Sequence, residues 1–144
     1  YMQTVGLESL DARYRVQSSN ALELATRLLK VPQIKRVNYT GLPDNPFYEI
    51  AKRQYGNTSG AMLTIDLADK ASALRFIDRL KVIHRASNLF DNRSLAIHTA
   101  STIFGTFSGS QRRAMDVLDT TIRISVGLEH VDDLYEDIVQ AVQE

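Results

Sequence analysis

The sequence predicts an α+β domain: a small, mostly antiparallel sheet with helices packed on one face. Three observations carry this. Strand-type runs such as "AMLTIDL" (61–67) and "TIRISV" (121–126) alternate apolar and polar residues, as strands do when only one face is buried. Runs with a helical apolar stripe interleave with them in no regular order. No glycine-rich turn joins a strand to a helix, which argues against a doubly wound parallel sheet.

The elements follow in chain order. Over residues 6–30, Leu7, Leu10, Tyr14, Ala21, Leu24, Ala25 and Leu28 recur at helical spacing. The reading is one long helix, with Ser18-Ser19-Asn20 as the place where it can adjust, stopped by Pro32. "IKRVNY" (34–39) is a short strand and "TGLPDNP" a loop. Asn45 followed by Pro46 reads as the cap and first position of a helix reaching about Tyr55. "YGNTSG" is a loop before the strand at 61–67. Asp69 caps an amphipathic helix through Leu74, Ile77, Leu80 and Val82 or Ile83. "ASNL" and "SLAIH" are short extended pieces around Asp91-Asn92. "FSGSQRRAMDVL" is a loop with a short helix, and "TIRISV" is the last strand. The final helix, "VDDLYEDIVQAVQ", puts Val131, Leu134, Tyr135, Ile138, Val139 and Val142 on one face. Its Asp132 and Asp133 suit the positive end of the helix dipole.

Composition excludes several classes of function. At 144 residues the chain has the size of one domain. Seventeen Lys and Arg balance seventeen Asp and Glu, so charge points to neither nucleic acid nor an anionic membrane. No apolar run approaches the roughly 20 residues of a membrane span. There is no cysteine, hence no disulfide framework and no thiolate chemistry. With no signal-peptide pattern either, a cytoplasmic location is expected.

The usual catalytic motifs are missing. His84, His98 and His130 are not spaced as a metal pair, and no metal site is expected. "GNTSG" matches neither a P-loop nor a dinucleotide fingerprint, and Ser101 lacks the G-x-S-x-G frame. No catalytic residue is assigned. Arg123 is the exception to this plainness. Alternation places it between Thr121 and Ser125 and opposite Ile122, Ile124 and Val126, so a strand aims its guanidinium. That planar fork matches a carboxylate. Spacing alone leaves two readings open: a salt bridge to a nearby Asp or Glu, or a ligand carboxylate.

Several blocks, in order, carry a resemblance. They are "GLESLDARYRVQSSNALELATRL", "VNYTGLPDNPFYEIAKRQY", "SGAMLTIDL", "SNLFDNRSLAIHTASTIF" and "IRISVGLEHVDDLYEDIVQAV". Together they span essentially the whole chain and resemble the C-terminal part of the Cys/Met-metabolism family of pyridoxal-phosphate (PLP) enzymes. That family includes cystathionine γ-synthase, the cystathionine lyases, methionine γ-lyase and O-acetylhomoserine sulfhydrylase. The last block resembles the family's R-[LI]-S-[VI]-G-[LI]-E strand and acidic helix. The fourth resembles N-[LVI]-G-D-x-[KR]-S-L-x-x-H-P-A-S-T-T-H.

The resemblance implies that residues 1–144 form a single C-terminal domain, the small domain of a fold-type I PLP-dependent transferase. Residues 1–31 would be the long helix leading from the large PLP-binding domain, and 32–144 an α/β sandwich. It implies that Arg123 binds the α-carboxylate of an amino-acid substrate of the O-acylhomoserine type, with Asn88 and Ser87 beside it. Asn88 with Asp91 is the form of the O-acetylhomoserine sulfhydrylase branch. PLP is expected in the full-length enzyme and not in this chain alone. Its lysine belongs to the upstream domain, and Lys30, Lys35, Lys52, Lys70 and Lys81 lie outside the family's lysine motif. A homo-oligomer is expected. The chain departs from the pattern at Phe90 (Gly in the family), Thr99 (Pro), Ile103-Phe104 (Thr-His), Thr40 (Pro) and Asn45 (His). These departures leave a second reading: an enzyme-derived binding or scaffold module.

Overall fold

A computed structural model describes residues 1–143. Six helices, α1 (Met2–Glu8), α2 (Leu10–Leu28), α3 (Tyr48–Tyr55), α4 (Lys70–Arg79), α5 (Gly109–Ala114) and α6 (Val131–Val142), accompany five strands. The strands are β1 (Arg36–Asn38), β2 (Met62–Asp66), β3 (His84–Arg85), β4 (Leu95–His98) and β5 (Thr121–Ser125). They form one sheet in the order β1-β2-β5-β4-β3. Three of its pairings are antiparallel, and only the edge pair β3–β4 is parallel. The expected α+β class and mostly antiparallel sheet are what the chain adopts.

Alternation decides what each sheet face carries. Leu63, Ile65, Ala96, Ile122 and Ile124 point to one face and are buried there with Leu24 and Leu28 of α2, Phe76 and Ile77 of α4, and Leu134 and Ile138 of α6. One helix layer therefore covers one sheet face, and burial of apolar area drives their union. The opposite face carries no helix layer and mixes polar residues such as Thr64, Arg123 and Ser125 with Met62, Leu95 and Ile97.

Four boundaries differ from the sequence reading, and the contacts show why. The long N-terminal helix is two helices, broken at Ser9. The Ser9 hydroxyl and the Arg13 guanidinium both donate to the Gly6 carbonyl, at 3.4 and 2.7 Å, and so replace helical bonding there. No α1 side chain is buried, so packing does not enforce continuity. Through Ser18-Ser19-Asn20, by contrast, α2 runs unbroken.

Asn45 does not cap the third helix directly. Its Oδ1 accepts from Phe47 N at 2.9 Å, which makes a side-chain turn, and the regular helix begins at Tyr48. The fourth helix ends at Arg79 because Asp137 draws off the next amides. Its carboxylate accepts from Lys81, Val82 and Ile83 N at 2.9–3.0 Å. "ASNL" is not extended strand. The edge strand is His84–Arg85, whose His84 N donates to Ser94 O. The caps at Asp69, onto Ser72 N at 2.7 Å, and the whole of α6 lie where the sequence puts them.

Candidate functional site

The helix-free face of the sheet is organised in rows of directly opposed residues. One row is Arg36–Asp66–Thr121, and the next is Asn38–Thr64–Arg123–Ile97. The first row is a closed ionic network. Asp66, buried, accepts from Arg36 Nε at 2.6 Å and from the hydroxyls of Thr120 and Thr121, while Arg36 also pairs with Asp116 at 3.0 Å.

The second row is the opposite case. Arg123 is half-buried and faces a cleft of about 190 Å³ lined by Asn38, Tyr39, Thr40, Met62, Leu63 and Thr64. Among the described residues no carboxylate lies within 4 Å of its guanidinium. Its one hydrogen bond is a long one, Nη2 to Asn88 O at 3.5 Å. The electrostatics differ accordingly. Burial alone pushes the Arg123 pKa below its ordinary value. For Arg36, burial pulls the same way, but hydrogen bonds to Asp116 and Asp66 overcome it and the net shift is upward. Arg123 is thus a half-buried cation on the central strand, without a carboxylate partner among the described residues. Among the described residues the internal salt bridge that spacing left open is not formed.

Asn88 is brought to Arg123 through its backbone. Its side chain bonds within its own loop, with Nδ2 donating to Asp91 Oδ2 at 3.2 Å. Ser87 is exposed on the same loop. Backbone bonds tie the segment 90–94 to the end of β5 and the turn after it. Phe90 N donates to Ser125 Oγ, Leu128 N to Asn92 O at 2.8 Å, and Ser94 N to Glu129 Oε1 at 2.7 Å. Gly127 makes this possible, because a Cβ there would lie 2.5 Å from both Asn92 O and Ser94 N. The sequence reading missed Thr64 and Asn38 as neighbours of Arg123. The polar phase of "AMLTIDL" was the available signal for Thr64.

The departures have structural explanations. Phe90 sits at φ 62°, a left-handed angle that favours glycine. The Thr99 hydroxyl donates to Thr121 O, and that of Thr40 to Ser59 O. Ile103 is exposed, and Phe104 lies 5.6 Å from Phe107. Two of the three histidines have side-chain partners among the described residues. His98 is buried, with Nδ1 on the Ser101 hydroxyl at 2.7 Å and Nε2 donating to the Asp119 carbonyl at 2.9 Å. His130 accepts from Asp132 N at the start of α6. Among the described residues no group of three His, Cys, Asp or Glu is placed to hold a metal, and no helix is long and apolar enough to cross a membrane.

Comparison with known proteins shows the family and the fold. The family model for Cys/Met metabolism PLP-dependent enzymes matches residues 1–143. The chain is 40% identical over 139 residues to O-acetyl-L-homoserine sulfhydrylase 1 of Thermus thermophilus, covering 96% of this chain and 33% of that protein. It is 38% identical over 138 residues to O-succinylhomoserine sulfhydrylase of Pseudomonas aeruginosa, covering 95% and 34%. The structure superposes on the O-acetylhomoserine sulfhydrylase of Wolinella succinogenes with a TM-score of 0.85 at 41% identity, over 99% of this chain and 38% of that one. The chain thus spans about a third of the length of the curated relatives it matches. With the blocks, the fold and the family model in agreement over its length, the chain belongs to the Cys/Met-metabolism family of PLP-dependent enzymes.

Proposed function

We propose that this chain is the C-terminal domain of a PLP-dependent sulfur amino acid enzyme and holds the α-carboxylate of an O-acylhomoserine-type substrate. The observation that carries the reading is Arg123: half-buried, aimed from the central strand, and without a carboxylate partner among the described residues. A substrate carboxylate would supply the missing counter-ion and accept the guanidinium's paired N–H donors. Asn88 meets the guanidinium through its carbonyl, and Ser87 precedes it on the same loop. Fixing the carboxylate sets the direction of the substrate's other bonds, which is the contribution positioning makes to a barrier.

The residues present do not fit a site for PLP itself. Lys30, Lys35, Lys52, Lys70 and Lys81 are all exposed, and none lines the Arg123 cleft. In this reading the cofactor and its lysine belong to the part of the enzyme that matches the remaining length of the relatives. The same reading assigns a homo-oligomer, since Met2, Val5, Leu7 and Leu10 leave α1 and the start of α2 with an exposed apolar surface.

The test is steady-state kinetics of Arg123→Ala and Arg123→Lys in the intact protein that carries this chain, with O-acetylhomoserine as substrate. Arg123→Ala is expected to cost at least about 1.5–3 kcal/mol in kcat/KM while PLP absorbance and the melting midpoint stay near wild type. Arg123→Lys is expected to restore little, because a point charge does not reproduce the fork. An Arg123→Ala variant that unfolds more easily yet keeps its kcat/KM would make the arginine a structural residue. Near-wild-type turnover and stability together would overturn the carboxylate-binding role, and a wild-type protein without turnover would favour the binding-module reading.

A further inference from the structure

Gln17 is fully buried in the stripe of α2 that otherwise carries Ser18, Ala21, Leu24, Ala25 and Leu28. Its Oε1 is the one buried side-chain polar atom among the described residues with no hydrogen-bond partner. A leucine or methionine would fill this position without an unpaired acceptor, so packing does not explain the amide. The other end of the side chain does: Nε2 donates to Asp91 O at 2.7 Å.

Asp91 belongs to the Asn88 loop, and its carboxylate receives the Asn88 side-chain amide. Three residues before Gln17 on α2, Tyr14 stacks on Phe90 of the same loop with ring centroids 5.5 Å apart. The loop is therefore held from two sides. The end of β5 and the turn after it bind its backbone at Phe90, Asn92 and Ser94, and α2 binds it at Asp91. Asn88, whose carbonyl meets Arg123, hangs between these supports.

We infer that Gln17 is a positioning residue whose amide, with Tyr14 beside it, sets the Asn88 loop at the height above Arg123 that a bound carboxylate needs. The inference rests on the carboxylate-binding role proposed above. It makes α2 part of the substrate site although no α2 side chain lines the Arg123 cleft.

The experiment uses the intact protein and the variant Gln17→Met, which keeps the length of the side chain and removes the amide. The expected result is a KM for O-acetylhomoserine raised roughly 5- to 10-fold, with kcat within about two-fold of wild type. The melting midpoint should stay near wild type, because the unpaired Oε1 is removed while the Asp91 carbonyl loses its donor. Arg123→Ala is measured alongside. If Arg123→Ala keeps wild-type kcat/KM, the carboxylate reading fails and this inference with it. If Arg123→Ala is crippled while Gln17→Met keeps the wild-type KM, this inference alone is overturned. A lowered melting midpoint with an unchanged KM would make Gln17 a structural brace and also overturns it. If Gln17→Met does not fold, Tyr14→Leu at its half-buried position decides: a raised KM supports the two-sided clamp, and a wild-type KM overturns it.

Discussion

Phe90 stacks on Tyr14 with the two rings 13° from parallel, and it does so from a backbone φ of 62°. A left-handed backbone at a bulky residue costs about 1–2 kcal/mol. A stacked aromatic pair returns about 0.5–1.5 kcal/mol. The two terms nearly offset, which explains how a glycine position of the family pattern accepts phenylalanine while the loop keeps the glycine angle.

This predicts an unusual order of stabilities. Phe90→Gly and Phe90→Ala both lose the stack, but only alanine keeps the strained angle. Phe90→Gly is expected to be the more stable of the two by about 1 kcal/mol, the reverse of the order in a helix or strand. Urea unfolding of the two variants checks it. An alanine variant equal to or more stable than the glycine one would mean the loop relaxes away from φ 62°.

Gly127 is required by space alone. An alanine Cβ would meet Glu129 Oε2 at 2.4 Å and the backbone of Asn92 and Ser94 at 2.5 Å. The carboxylate can swing away; the two backbone atoms cannot move without displacing the loop. Gly127→Ala is expected to cost about 3 kcal/mol in denaturant unfolding. It should also weaken substrate use, because the displaced loop carries Asn88.

Asp137 ends α4 from a distance of more than fifty residues in the chain. Removing it leaves the Lys81, Val82 and Ile83 N–H groups without the acceptor they share. Asp137→Ala is expected to destabilise by about 3 kcal/mol or more, since each stranded donor costs on the order of 1–3 kcal/mol. Asp137→Asn, which keeps one oxygen acceptor, should lose less. Equal losses in the two variants would show that the three amides find water instead.

Acid sensitivity follows from two exposed carboxylates. The Arg27 hydrogen bond at 2.6 Å holds the Asp132 carboxyl below its ordinary 3.8, and Ser72, through its backbone N–H, does the same for Asp69. A depressed folded-state pKa stabilises the fold at pH values above the unfolded pKa. That stability is lost as pH falls through the folded values. The urea midpoint is therefore expected to drop below about pH 4. An Asp69→Ala, Asp132→Ala double variant should start lower at neutral pH and fall less steeply. Parallel curves for the two proteins would show that neither carboxyl carries the acid sensitivity.

The sequence by itself determined the class of the fold, most of its elements and the direction of Arg123. These are properties of local pattern. A two-residue period puts Ile122 and Ile124 on one face and Arg123 on the other whatever the partners are, and a cap such as Asp69 acts within one helical turn. The resemblance blocks are equally local, which is why the family was legible. Tertiary structure decided what local pattern does not encode. The end of α4 depends on Asp137, far along the chain. Whether Arg123 meets a carboxylate of its own chain was equally undecided by spacing. The sheet order put Asp66 opposite Arg36 and Thr121, one row away, and left Thr64 and Ile97 beside Arg123. The role of Gln17 was hidden for the same reason. Its partner is a carbonyl 74 residues further along, brought near only when the end of β5 and α2 close on the loop from both sides.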